Sequence, residues 1–217
     1  MFELFNKGGF LMYPIFFCSL LAIAIFFERM FYLKSIKTST RKFSSRISDL
    51  IRKGNINFAI TACRKNYSPI SQIILSALLK YGSSRGEIKE TIEDTANQEI
   101  SILEKNLPVL ATVGNIAPLL GLLGTVFGMI KGFQVISSMG VGNPEALAGA
   151  ISEALLTTAF GLSVAIPTIV AYNYLINRVD RQIKEMEATS IEILELLSIK
   201  REVNEEEVKI DEILSSQ

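Results

Sequence analysis

The stretch GAISEALLTTAFGLSVAIPTIVAYNYLI, residues 149–176, decides how this chain folds. It is long, apolar and rich in small residues, and it holds one acid, Glu153. The preceding acid is Glu145, and after Glu153 no charged side chain appears until Arg178. Such a segment leaves water for a bilayer, and a carboxylate at its head is costly there unless it has work to do.

Two further runs have the same character. The charge-free segments are Gly8 to Phe27, Leu107 to Ile130 and Ala154 to Ile176, each long enough for a spanning helix of about 20 residues. Three such runs are hard to bury in 217 residues. The expected fold is therefore an all-α integral membrane protein with three transmembrane helices, the second and third extended into a cytoplasmic helical bundle. The first run exceeds the ~7–15 apolar residues of a signal peptide and lacks a small-residue cleavage site, so it reads as a retained helix.

Lysine and arginine set the orientation. Lys34, Lys37, Arg41, Lys42 and Arg46 follow the first span, and Arg178, Arg181 and Lys184 follow the third. The connection between the second and third carries Lys131 at its edge and no other base. The expected layout is a periplasmic N-terminus and first transmembrane helix over residues 1–33, then a cytoplasmic helical region over 34–106. The second transmembrane helix covers 107–136, a short periplasmic connection 137–145 and the third transmembrane helix 146–177. A cytoplasmic C-terminal helix and tail occupies 178–217.

Composition removes several function classes. Lysine plus arginine equals aspartate plus glutamate, 22 of each, and there is no histidine. That excludes histidine metal sites, histidine proton shuttles and Ser/His or Cys/His nucleophile pairs. Cys18 lies in an apolar segment and Cys63 in a charged one, so neither a disulfide nor a metal site is expected. Without a nucleophile constellation, metal cluster or phosphate loop, the chain is not read as an enzyme, and no cofactor is expected beyond a translocated proton.

The polar parts read as helices. RKFSSRISDLIRKG places Phe43, Ile47, Leu50 and Ile51 at helical spacing, with Gly54 as a stop. SPISQIILSALLKYG is a second short helix, opened by Ser68-Pro69 and closed by Gly82. Ser84 to Glu87 matches a capping box. No strong breaker lies between it and Pro108, so one helix is predicted from about Glu87 through the second span, about 70 Å long. The third span is predicted to continue along a stripe of Ile183, Met186, Ile193 and Leu197. The acidic tail REVNEEEVKIDEILSSQ predicts a frayed or disordered end.

The second span contains PLLGLLGTVFGMIKG. Gly124, Gly128 and Gly132 are spaced by four, with Gly121 one turn earlier, a pattern that lets membrane helices approach closely. Thr125 lies beside this stripe, and a threonine there commonly bonds back to its own helix. Pro108, Pro118 and Pro167 can each bend a helix or leave a carbonyl unpaired. Glu153 has two readings: a residue just outside the membrane, or a carboxylate one or two turns inside it, facing a lumen and exchanging protons. The small residues Ala146 to Ser152 extend the helix ahead of it and favour the second. Thr157 is one turn on and shares its face, whereas Thr158 is about 140° away on a straight helix.

APLLGLLGTVFGMIKGF together with AISEALLTTAFGLSVAIPTIVAYNYL closely resembles the MotA/TolQ/ExbB family of proton-channel subunits. The match covers about Gly114 to Asn177, and the rest agrees in layout. Size and three-span topology resemble ExbB most, with TolQ the nearest sister. The resemblance implies a pentamer around a lumen that holds two single-span partner helices of the ExbD type, whose aspartate takes protons. It implies that proton flow does mechanical work on a partner, in the ExbB case a TonB-like protein energising outer-membrane transport, within the bacterial inner membrane. It places the lumen acid on Glu153 and the lumen threonines on Thr125 and Thr158, beside the Thr157 that helix geometry favours. Membrane lipid is the remaining partner, and nucleic acid is not expected. The alternatives are a TolQ-like envelope-maintenance motor and a non-conducting membrane scaffold in which Glu153 only caps a helix.

Overall fold

The computed structural model describes residues 8–37, 40–140 and 144–215, and every regular element among them is an α-helix. In chain order these are α1 (Met12–Lys37), α2 (Thr40–Arg52), α3 (Ile56–Lys65), α4 (Pro69–Leu79), α5 (Arg85–Glu104), α6 (Leu107–Met139) and α7 (Pro144–Ser215). Helices α1, α6 and α7 carry three segments long and apolar enough to cross a membrane. The chain divides into two compact units, one of residues 1–31 and 106–177, the other of residues 32–105 and 178–217.

The first unit reverses the packing rule of a soluble protein. Its buried positions are largely small: Ala117, Ala150, Ala154, Thr157, Ala165 and Thr168. Many of its large apolar side chains point outward, among them Phe16, Phe17, Leu119, Phe127, Leu155 and Val170, while Met12, Ile15, Leu107, Leu110 and Leu175 are buried. In hydrocarbon no hydrophobic force drives helices together, so association relies on close backbone approach, which small residues permit. Only 17%, 33% and 28% of the three apolar windows is buried within the chain. The remainder is surface suited to lipid or to other helices.

The second unit packs as a soluble bundle does. Ile47, Ile51, Ile70, Ile73, Ile74, Leu78, Ile88 and Leu103 are almost fully buried. Helix α4 packs on α3 and on α5, and α3 on α2. Val179, Met186, Ile193 and Leu197 bury one stripe of α7. The predicted starts at Ser68 and Ser84 are both present. Each serine accepts a hydrogen bond from the amide three residues on, and that residue's side chain accepts from the serine's own amide. Gly54, at φ +77°, ends α2: its amide donates to the Ile51 carbonyl and that of Asn55 to the Leu50 carbonyl. This pairing satisfies two orphan carbonyls and needs a left-handed residue.

Two expectations fail. The helix predicted to run unbroken from Glu87 through the second span is interrupted at Lys105–Asn106, where Asn106 adopts φ +65°. The cause is Pro108. A continuous helix would lose the bond from position 108 to the Glu104 carbonyl and drive the proline ring into it. Instead α5 ends at Glu104 and α6 restarts with the proline in its first turn, where no amide is required. The Asn106 side-chain amide donates to Glu28 Oε2 at 3.0 Å. At the other end, the backbone is helical to Ser215, where composition predicts fraying. No glycine or proline follows Pro167, and extending an existing helix is far easier than starting one. Pro118 and Pro167 both lie inside helices that continue past them.

Candidate functional site

The site is built on the seam where α6 and α7 run antiparallel. A Cβ at Gly128 would lie 2.5 Å from the Ala154 Cβ, and one at Gly124 would lie 2.5 Å from the Thr157 side chain. A Cβ at Gly121 would meet the Thr158 Cα at 3.0 Å, and one at Gly132 would meet Leu147 at 3.3 Å. Ascending contacts on one helix meet descending ones on the other, so all four glycines serve one register. Gly161 of α7 completes the seam, since a Cβ there would lie 2.6 Å from the Ala117 carbonyl oxygen and 3.1 Å from the Gly121 Cα. Across the same contact the Thr158 hydroxyl donates to the Gly121 carbonyl at 2.8 Å.

This register brings Glu153 opposite Lys131. Lys131 Nζ donates to Glu153 Oε1 at 2.5 Å, and the Glu153 side chain is only 25% exposed. Buried Thr157 donates to the Glu153 carbonyl at 2.7 Å and to the Gly8 carbonyl at 3.0 Å. The turn before α1 thus lies against the start of the seam. Gly9, at φ +71°, has the Glu153 carboxylate where a side chain would be. Glu153, Lys131, Thr157, Gly124, Gly8 and Phe127 are among the residues lining a cavity of about 190 Å³.

The sequence-selected residues therefore separate. Glu153, Thr157 and Gly124 share the cavity; Thr158, the next residue after Thr157, is not among its lining residues and bonds Gly121 across the seam. Thr125 lies outside it and donates to its own helix, at the Leu122 carbonyl, 2.6 Å away. Sequence reading missed Lys131 as a site residue, although the signal was present. It falls three residues after Gly128 and seven after Gly124, on the glycine face, and is the one base between Lys105 and Arg178. Gly161 was missed too, four residues beyond Thr157 on the same face of α7. Gly9 had no signal, because its role depends on a contact across 144 residues of chain.

A sequence profile of the MotA/TolQ/ExbB proton channel family matches residues 65–188. The chain is 32% identical to a putative biopolymer transport protein ExbB homolog of Methanothermobacter thermautotrophicus, over 85% of this chain and 66% of that protein. It is 32% identical to the putative biopolymer transport protein ExbB-like 3 of Synechocystis, over 76% of this chain and 80% of the relative. It is 44% identical to the Tol-Pal system protein TolQ of Haemophilus influenzae over a shorter stretch, 39% of this chain and 37% of that protein. The chain thus spans slightly less than two thirds of the first of these relatives and little more than a third of the last.

Proposed function

The chain belongs to the MotA/TolQ/ExbB proton channel family, and from that premise we propose that it is the channel-forming subunit of a proton-driven motor. In this reading several copies, five by family resemblance, enclose a lumen holding two single-span ExbD-like partner helices. Glu153 exchanges protons there, and the energy reaches a TonB-like client as mechanical work rather than through bond-making chemistry. The bases after the first and third spans orient the chain in the inner membrane, with its N-terminus periplasmic and its C-terminus cytoplasmic.

The observation that carries the reading is one acid, three-quarters covered, in a seam whose backbones are in contact. A carboxylate in a spanning helix costs at least ~2.5 kcal/mol, and such residues mark ion paths. One charge crossing 100 mV releases about 2.3 kcal/mol, which a channel captures only if its wall does not leak. A seam packed backbone to backbone at glycine suits such a wall.

The test is proton flux. The chain, co-purified with its single-span partner and reconstituted in liposomes, should acidify the interior under an imposed gradient. Glu153→Gln should abolish that flux while leaving oligomer mass unchanged. Undiminished flux in the assembled variant would overturn the motor reading and leave a scaffold. The 44% identity to a TolQ protein supports a second reading, an envelope-maintenance motor. The periplasmic domain of the co-purified partner distinguishes the two.

A further inference from the structure

We infer that Lys131 is the resident counter-ion of Glu153: a positioning residue that keeps the carboxylate charged and folded into its own subunit until a proton displaces it. The inference rests on the proposed role of Glu153 as the proton-exchanging acid.

Between Lys105 and Arg178 the chain holds one base, Lys131, and two acids, Glu145 and Glu153. The structure pairs that base with Glu153 at 2.5 Å. Lys131 and Glu153 are also the only charged side chains bordering the cavity among the described residues. The pairing is imposed by the seam. Gly128 on Ala154 and Gly124 on Thr157 fix the register, and that register sets position 131 against position 153. On its other side the carboxylate rests on Gly9, where any side chain would collide with it. Glu153 is thus held between a cation and a bare backbone, not simply left at a helix end.

This geometry gives proton uptake a mechanical consequence. An ammonium and a proton compete for the same oxygen. Once that oxygen is protonated, it no longer accepts from the ammonium, the attraction between opposite charges is lost, and the side chain is free to turn. The released ammonium is not stranded. The Lys131 side chain is 54% exposed and lies about two turns from the end of α6, within reach of the boundary for a flexible stem. Lys131 therefore resets the acid after each proton leaves.

The test reads charge state directly. Infrared difference spectra of the full-length assembled protein in lipid, wild type against Glu153→Gln, isolate the Glu153 band at neutral pH. The wild type should show an ionised carboxylate. Lys131→Met should gain a protonated-carboxyl band that disappears in the Lys131→Met/Glu153→Gln double variant, and Lys131→Arg should match the wild type. Lys131→Gln gives the same readout if Lys131→Met does not assemble. An assembled neutral variant without the new band, or a protonated band of equal size in the wild type, would overturn the inference. Proton flux in Glu153→Gln judges the motor reading separately. A chain that passes the infrared test but conducts without Glu153 retains the counter-ion and loses the motor.

Discussion

Replacing Gly161 by alanine adds one methyl group at the tightest backbone contact of the seam. The new Cβ would stand 2.6 Å from the Ala117 carbonyl oxygen, where ordinary contact begins near 3.4 Å. The atoms it meets are all backbone, so no side chain can swing aside, and the helices must part by about 0.8 Å along that line. The Thr158–Gly121 bond, 2.8 Å long, spans the same gap and would stretch to the limit of a hydrogen bond. Overpacking of this kind costs ~1–3 kcal/mol, and an interhelical bond in a membrane is worth about 0.6 kcal/mol. Alanine returns up to about 1 kcal/mol of helix propensity. The net expected loss is about 1–3 kcal/mol. Gly149→Ala is the control, because a Cβ there meets nothing within 4 Å; it should be neutral or slightly stabilising. Gly121→Ala, with its nearest contact at 3.0 Å, should fall between them. Reversible unfolding of the purified protein in mixed detergent micelles measures the series. A Gly161→Ala protein as stable as Gly149→Ala would refute the claim that backbone contact closes the seam.

Two further outcomes follow, one at the start of α6 and one in the second unit. Asn106→Ala places an ordinary side chain at φ +65° and removes the bond to Glu28, so it should cost about 1–2 kcal/mol, whereas Asn106→Gly should cost less; equal melting temperatures would count against backbone strain. The Cys63 thiol is fully buried and burial pushes it up to about 12, so the reactive thiolate should be scarce at every pH below that range. Iodoacetamide at mildly alkaline pH should therefore leave the Cys63 peptide unmodified by mass spectrometry until denaturant is added, and rapid labelling of the native protein would contradict its burial.

The parts legible in the sequence were those governed by local rules. Ser84 and Glu87 cap a helix through contacts within four residues, and three apolar runs become helices whatever surrounds them. The glycine face of α6 was legible for the same reason, since its spacing is a property of one helix. Its counterpart was not. Gly161 acquires meaning only when the antiparallel register sets it against Ala117 and Gly121. Lys131 was read by position along the chain, where it marks a span's edge, rather than by face, where it aligns with Gly128. The break at Lys105–Asn106 is not marked by any breaker at those two positions; it arises because the steric reach of Pro108 extends back to Glu104. The tail was misjudged by weighing acidity above the absence of any breaker after Pro167.

The bond from Thr157 to the Gly8 carbonyl joins residues 149 apart in the chain. During synthesis Gly8 and Gly9 are made well before Glu153 and Thr157, so the surface they rest on does not exist until the third span has been translated and inserted. The first helix must wait in the bilayer, its leading turn unclasped, through the whole of the intervening polar region. The pocket around Glu153 is consequently closed late in biogenesis, and a chain truncated before α7 would lack the Thr157 hydroxyl and Glu153 carboxylate that this turn meets.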